Sequence, residues 1–154
     1  MKAILTFLTL ALFASPLLAK KYPGLKVRGN YKVMDVVVEN VGNNTLGLTT
    51  QDVERAVKLR LLANGIKGGK ILGHQLYVRV GVLSTGNAFD LDVIFEKISF
   101  AYGVDEKVAG ISFTPNQGSY GSYGTAGRSK QAILEALNAQ LDSFLLDYLE
   151  SNIE

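Results

Sequence analysis

The residues best suited to binding chemistry lie in a glycine-rich segment before the last predicted helix. Four glycines recur at every third position from Gly118 to Gly127, with Tyr120 and Tyr123 between them. The pattern allows three interpretations: a flexible connector, a protein contact in which tyrosines beside glycines form the binding surface, or an anion site at the helix N-terminus. The candidate binding residues are Tyr120, Gly121, Tyr123, Gly124, Arg128, Ser129 and Lys130.

Few other residues could do chemistry. His74 is the only histidine and follows a glycine, so we expect it in an exposed loop. The chain has no cysteine and no Gly-x-Ser-x-Gly motif, so no nucleophile-base pair can be assembled. Asp90 and Asp92 share one face of a predicted strand and could bind calcium, but the alternation around them predicts the solvent side of that strand. We therefore expect no enzyme, no metal site and no cofactor.

The first 19 residues have the pattern of a secretory signal peptide. Lys2 precedes an apolar run from Ala3 to Phe13, and Pro16 breaks the run before a small residue, Ala19. A membrane-spanning helix needs about 20 apolar residues, so we expect cleavage after residue 19 and no transmembrane anchor afterwards. No cysteine follows the run, so we expect no lipid-bearing cysteine. The predicted location is the periplasm or the outside of the cell.

The remaining chain is predicted to be one domain with a basic beginning. The whole sequence has 16 Lys and Arg against 14 Asp and Glu, a net charge of +2, which gives no general attraction to nucleic acid. Residues 20–30 form a basic extended lead-in without acids. We expect a solvated tail there, although it could instead dock on the last helix or on an anionic envelope surface. Residues 31–154 are long enough for a single α+β domain.

The hydrophobic pattern predicts four strands and two helices. Alternation places the strands at residues 31–41, 75–84, 88–102 and 107–114. Apolar stripes at three-four spacing place the helices at residues 49–64 and 129–153. A change of parity predicts a bulge or a bend near Lys97, and short connections predict an antiparallel meander of the last three strands. The expected fold is an α+β two-layer sandwich, order β-α-β-β-β-α, with a mainly antiparallel four-stranded sheet and both helices on one face.

The helix ends carry further signals. Thr49 and Asp52 are spaced as a capping pair at the start of the first helix. Gly65 and Ile66 at its end are typical of a stop in which glycine takes the left-handed conformation. The stripe of the second helix suits a core helix, and Tyr148, with Leu149 and Ile153, could protrude at its end and contact a partner.

Short motifs are spread over most of the chain after the predicted signal peptide. They are Gly47-Leu48-Thr49, Ala63-Asn64-Gly65-Ile66, Leu76-Tyr77-Val78, Phe113 with Gly118-Ser119, Leu141-Asp142-Ser143-Phe144, and Asp147-Tyr148-Leu149-Glu150-Ser151-Asn152. In these motifs and in its element order the chain resembles a family of small exported bacterial proteins of unknown function. The resemblance implies the α+β fold and an envelope location, and it adds no chemistry.

Two functions are compatible with these residues. The first is a non-catalytic, exported interaction or assembly module of the cell envelope, with Tyr120, Tyr123 and the glycines around them as the contact. Its partner is expected to be an envelope protein or a second copy of the chain, and not nucleic acid. The alternative is a periplasmic protein that binds a small ligand or anion with Arg128, Ser129 and Lys130.

Overall fold

Six strands and two long helices form the part of the chain that a computed structural model describes. That part comprises residues 23–102, 107–113, 119–125 and 129–153, with side chains for 24–97 and 129–153. The strands are β1 (Val33–Val38), β2 (Lys67–Gly68), β3 (His74–Val82), β4 (Ala88–Tyr102), β5 (Lys107–Phe113) and β6 (Ser119–Thr125). The helices are α1 (Thr50–Ala63) and α2 (Lys130–Asn152), and a 3-10 turn, Pro23–Leu25, precedes β1. The predicted signal peptide, residues 1–19, lies outside the described residues.

The sheet is mixed rather than mainly antiparallel, which corrects one part of the predicted fold. Strand β1 runs parallel to both of its neighbours, β2 and β3, whereas β4 is antiparallel to β3, β5 and β6. The connection explains this, because α1 returns the chain to the starting end of β1 and the next strands enter in the same direction. The α+β class and the antiparallel β3–β4–β5 meander are confirmed, and the sheet has six strands instead of four.

Strands β5 and β6 lie end to end along one edge of β4. Each of them pairs with β4 residues that also pair with β3. Both therefore lie along the edge of β4 opposite to β3. Residues 114–118, which connect β5 to β6, lie outside the described residues. The register of β4 itself runs unbroken through Lys97. The bulge predicted near that residue is therefore wrong.

Both helices pack on one face of the sheet around a single hydrophobic core. Every second residue of the sheet strands faces this layer, and the buried ones are Met34, Leu76, Val78, Val80, Leu91, Val93 and Phe95. The helices add the buried residues Val53, Val57, Leu61, Ile133, Leu137, Leu141, Phe144 and Tyr148. The alternate residues of the same strands form the outer face, which no described helix covers.

Helix α1 begins and ends where its capping signals predict. The Thr49 hydroxyl accepts from the Asp52 N–H at 3.2 Å, and the Thr49 N–H donates to the Asp52 carboxylate at 2.9 Å. At the other end Gly65 has a φ of 75°, and the Ile66 N–H donates to the Leu61 carbonyl at 3.0 Å. Left-handed backbone at Gly65 therefore stops the helix and turns the chain into β2.

The described part of the basic lead-in docks on the end of α2. Leu25 is fully buried and Val27 nearly so. The Asn152 amide donates to the Leu25 carbonyl and accepts from the Val27 N–H, each at 2.9 Å. Tyr148, which we expected could protrude, is buried instead and donates its hydroxyl to the Tyr31 carbonyl at 2.9 Å. The expectation of a solvated tail is wrong for the two apolar residues, because α2 offers them an apolar surface and hydrogen bonds for their backbone.

Candidate functional site

The glycine-rich segment contains a strand that is not among the four predicted from the sequence. The 7 residues Ser119–Thr125 pair with β4, from Ile94–Ser119 to Ala88–Thr125. Their sequence repeats with a period of three and has no alternation of apolar and polar residues, so it carries no strand signal of its own. The edge of β4 decides the conformation, because it offers this segment backbone hydrogen bonds that a loop would lack.

No described strand pairs with the edge of β6 that faces away from β4, while helix α2 contacts the strand. The Leu83 N–H donates to the Ala88 carbonyl at 3.0 Å, so Ala88 and every second residue after it turn their backbone groups toward β3. The β4 residues between these turn their backbone groups toward β6. There they bond Ser122 and every second β6 residue on either side of it. Gly121 and Tyr123 consequently direct their N–H and C=O groups away from β4, where no described strand pairs with them.

The two tyrosines of β6 occupy positions on opposite faces of the sheet. Tyr120 pairs with Val93, which is buried beneath the helices. Tyr123 pairs with Asp90, which is exposed on the outer face. Because paired residues of neighbouring strands share a face, a molecule on the outer face meets position 123 and not position 120. Positions 120 and 123 lie on the same strand as Gly121 and Gly124, so the surface that they have in common is the backbone of β6.

The first residues of α2 are engaged within the fold. Ser129 caps the helix, and its hydroxyl accepts from the Ala132 N–H at 3.4 Å. The Lys130 ammonium lies 2.7 Å from the Asp52 carboxylate and so joins the N-terminal ends of the two helices. Lys130, together with hydrogen bonds from Thr49, holds the pKa of Asp52 well below its usual range. The charge of Lys130 is thus balanced, and Arg128, its predicted companion in an anion site, lies outside the described residues.

His74 is a core residue and not the exposed loop residue that its sequence context predicts. It is the first residue of β3 and pairs with Lys97. Only 6% of its surface is exposed, and its ring centroid lies 5.7 Å from that of Phe95. Its Nε2 atom is 3.2 Å from the Val33 carbonyl. The flanking glycine suggested a loop, whereas the strand β4 extends far enough to draw His74 into the sheet.

The environment of His74 predicts that the fold loses stability as the pH falls below about 6.5. Burial lowers the pKa of His74 in the folded chain, the Lys97 charge adds to this, and the bond to the Val33 carbonyl opposes it. The unfolded chain therefore binds the proton more readily in that range, which favours unfolding. Urea unfolding at pH 7.5 and pH 5.5 should show a smaller loss for His74→Phe than for wild type. Equal losses in the two proteins would assign the pH dependence to other groups.

Asp90 and Asp92 are partners of Arg79 on the outer face of the sheet. The Arg79 guanidinium is 2.5 Å from the Asp92 carboxylate and 3.4 Å from that of Asp90. The aspartates thus have a cationic partner of their own, which explains their spacing without a bound cation. No group of three or more His, Asp or Glu side chains is arranged to hold a metal ion in the part of the chain that the structure describes.

An apolar groove lies on the helix layer. It has a volume of about 620 Å³, and its lining includes Leu145, Leu146, Leu149 and Ile153 from the last turns of α2, with Asn64 from the end of α1. Leu146 and Ile153 are more than half exposed.

No described helix is long and apolar enough to cross a membrane.

Comparison with known proteins identifies no family for this chain. No family model matches it, and no curated protein matches it at a significant level. Among solved structures, a minor lipoprotein from Acinetobacter baumannii is similar, with 16% sequence identity, a TM-score of 0.25, and coverage of 79% of this chain and 87% of that chain. A likeness with so low a TM-score supports no argument about this chain. The resemblance to exported bacterial proteins of unknown function therefore stays a prediction.

Proposed function

We propose that this chain is a non-catalytic, exported module of the cell envelope that binds a protein partner by adding a strand to the open edge of β6. The open edge itself carries the proposal. Backbone N–H and C=O groups of an unpaired strand edge are strong hydrogen-bonding groups, and an extended segment of another chain satisfies them by continuing the sheet. Gly121 and Tyr123 offer such groups on the side away from β4.

The composition of β6 supports this function. Natural edge strands are usually protected from pairing by charged side chains, proline or a covering element. Ser119–Thr125 contains no charged residue and no proline. The opposite edge of the sheet is different, because β2 covers the start of β1 and the Asp35 carboxylate accepts the Val36 N–H at 2.9 Å. Of the two edges, β6 is the one suited to receive a strand.

The remaining parts of the proposal rest on other residues. Export follows from the signal-peptide pattern of residues 1–19. The absence of catalysis is inferred from the positions of the ionisable groups: His74 is enclosed in the core, and Asp90 and Asp92 are paired with Arg79. The partner is an envelope protein or a second copy of the chain. The alternative of an anion binder gains no support from Lys130, whose charge is balanced by Asp52.

Two substitutions at Tyr123 test strand addition. Tyr123→Pro removes an N–H that points away from β4, so it should abolish partner binding while the bonds from β6 to β4 remain. Tyr123→Thr removes the aromatic ring but keeps the N–H, so it should keep most of the binding. The measurement is native mass spectrometry of the protein released gently from the envelope of its own host, together with the melting temperature of each variant.

The expected masses are a protein complex for wild type and Tyr123→Thr, and the bare chain for Tyr123→Pro. Ser122→Pro serves as a folding control, because it removes an N–H that bonds β4 and should lower the melting temperature. A complex that survives Tyr123→Pro unchanged would sink the proposal. A small added mass in place of a protein partner would favour the ligand-binding alternative, and a bare wild-type chain would count against both.

A further inference from the structure

One end of the sheet carries exposed cations from three separate segments. It is the end at which β1 and β3 begin, and the residues at it belong to the lead-in, to the start of β1 and to the connection from β2 to β3. The exposed cations there include Arg28, Lys32, Lys67 and Lys70. These four residues are called the basic end below.

Backbone contacts hold the segments of the basic end together. The Lys67 N–H donates to the Lys32 carbonyl at 2.8 Å, which places these two lysines side by side. The lead-in is fixed by the Lys97 ammonium, which donates to the Gly24 carbonyl at 3.1 Å. Arg28 is near enough to help lower the pKa of Lys97, after the larger effect of burial. Since Lys97 pairs with the first residue of β3, the cations of the lead-in and of the β2–β3 connection meet at one place.

The basic end differs from the rest of the described surface in its lack of acidic partners. Residues 20–34 and 65–74 contain no Asp or Glu. None of the ion pairs formed among the described residues includes a member of the basic end. Four cations elsewhere have acidic partners, in the pairs Lys58–Glu54, Arg60–Asp142, Arg79–Asp92 and Lys130–Asp52. The described residues show no such pair for Arg55 or Lys97, but these two cations do not belong to a cluster drawn from three segments. The uncompensated charge at this end therefore calls for an anionic partner.

A leucine at the basic end limits what that partner can be. Leu72 lies in the β2–β3 connection, two residues after Lys70, and 95% of its surface is exposed. The connection is anchored on both sides, by the Gly69 N–H on the Met34 carbonyl at 3.0 Å and by His74 in the sheet. Such a leucine offers nothing to a phosphate backbone, but among the headgroups of a bilayer it can reach the acyl chains.

We propose that the basic end docks on the surface of an anionic lipid bilayer, with Leu72 inserted at the level of the acyl chains and the four cations against headgroup phosphates. The four cations attract the anionic headgroups, and the leucine supplies an apolar contact with the acyl chains. Docking in this way leaves β6 free, because its pairing partner, the first half of β4, lies toward the other end of β3. The inference thus adds a second surface to the proposed function and does not depend on it.

The chain contains no tryptophan, so a single tryptophan can report which end of the molecule meets the membrane. Leu72→Trp places the reporter at the basic end. Leu83→Trp is its matched control, because Leu83 is 59% exposed in the β3–β4 connection at the other end of β3. The protein is made from its full sequence and used in the form that the cell exports, after its mass has been measured. The vesicles are phosphatidylglycerol with phosphatidylethanolamine, and phosphatidylcholine alone.

Binding to the anionic vesicles should shift the fluorescence of Leu72→Trp to shorter wavelength and shield it from an aqueous quencher. Leu83→Trp should show neither change, and phosphatidylcholine vesicles should affect neither variant. A double reversal, Lys67→Glu with Lys70→Glu, should weaken vesicle binding about tenfold or more at low salt. Leu72→Ser should weaken it while the salt dependence remains.

A second double charge reversal tests whether vesicle binding depends on where the charges lie. Arg55→Glu with Lys58→Glu changes the net charge equally but lies on α1, so it should leave vesicle binding unchanged. Equal weakening by both double reversals would show binding by net charge alone and overturn the proposal. So would a tryptophan shift at Leu83→Trp, or no vesicle binding by the wild-type chain. Binding of the basic end to an oligonucleotide but not to vesicles would show a nucleic-acid surface instead.

Discussion

Replacing Phe95 by alanine should lower the free energy of unfolding by about 3–5 kcal/mol. The Phe95 side chain is fully buried on the helix-facing side of β4. Its ring centroid lies 5.9 Å from that of Phe144 and 5.5 Å from that of Tyr148, so one residue of the sheet meets two turns of α2. The substitution removes these ring contacts and leaves a cavity that the surrounding helix and strands cannot fill by small shifts.

Phe89→Ala is the matched control for this prediction. Phe89 lies on the same strand and the same face, but it is only partly buried at the edge of the core. Its loss should therefore cost distinctly less, because less apolar surface leaves water and the site can collapse or admit solvent. Urea unfolding followed by circular dichroism gives both values. Equal losses for the two substitutions would show that the aromatic cluster around Phe95 is not the centre of the core.

Elements with strong local signals could be predicted from the sequence. The capping pair of Thr49 and Asp52, and the stop at Gly65, depend on neighbouring residues alone, so the bounds of α1 follow from them. Strand β4 alternates over a length that no helix pattern fits, and it was found at residues 88–102 as predicted. In each case the residues that determine the conformation lie within one turn or one strand of each other.

Elements that depend on a distant partner were missed. Strand β6 has no alternation and forms because β4 has an open edge beside it. His74 is buried because it pairs with Lys97, and Tyr148 because its hydroxyl reaches the Tyr31 carbonyl. The parallel pairing of β1 likewise depends on where α1 returns the chain. A sequence pattern records which face of an element is apolar, but it does not record which other element will cover it.

The candidate site shows the same division. Composition singled out the segment that forms the edge strand β6, and Tyr123 and Gly121 of this segment belong to the contact that we propose. The sequence pattern did not show that the available groups are backbone groups, because that depends on the register of β6 on β4. It also did not show that Lys130 would be balanced by Asp52, a residue on the other helix. Residue type therefore selected a candidate segment, whereas the geometry of that segment depends on strand β4 and could not be predicted from it.

The Asn152→Ala substitution should lower the free energy of unfolding by about 2–3 kcal/mol, because it leaves buried backbone groups without partners. The Asn152 amide bonds both the Leu25 carbonyl and the Val27 N–H, so one side chain of α2 holds two backbone groups of the lead-in. Without it, the lead-in should detach from the helix and expose the apolar residues beneath. Hydrogen exchange should show this as faster exchange at residues 24–28, with little change in β3 and β4.

Asn138→Ala separates the loss of these bonds from the change in helix propensity. Asn138 lies on the same helix, so its replacement by alanine brings the same gain in propensity, but no hydrogen bond of its side chain is found among the described residues. The difference in unfolding free energy between the two variants therefore measures the attachment of the lead-in. If Asn152→Ala is as stable as Asn138→Ala and protects residues 24–28 equally, then burial of Leu25 and the bonds from Lys97 hold the lead-in in place. In that case the position of Arg28 in the basic end would depend on apolar packing and on Lys97 rather than on Asn152.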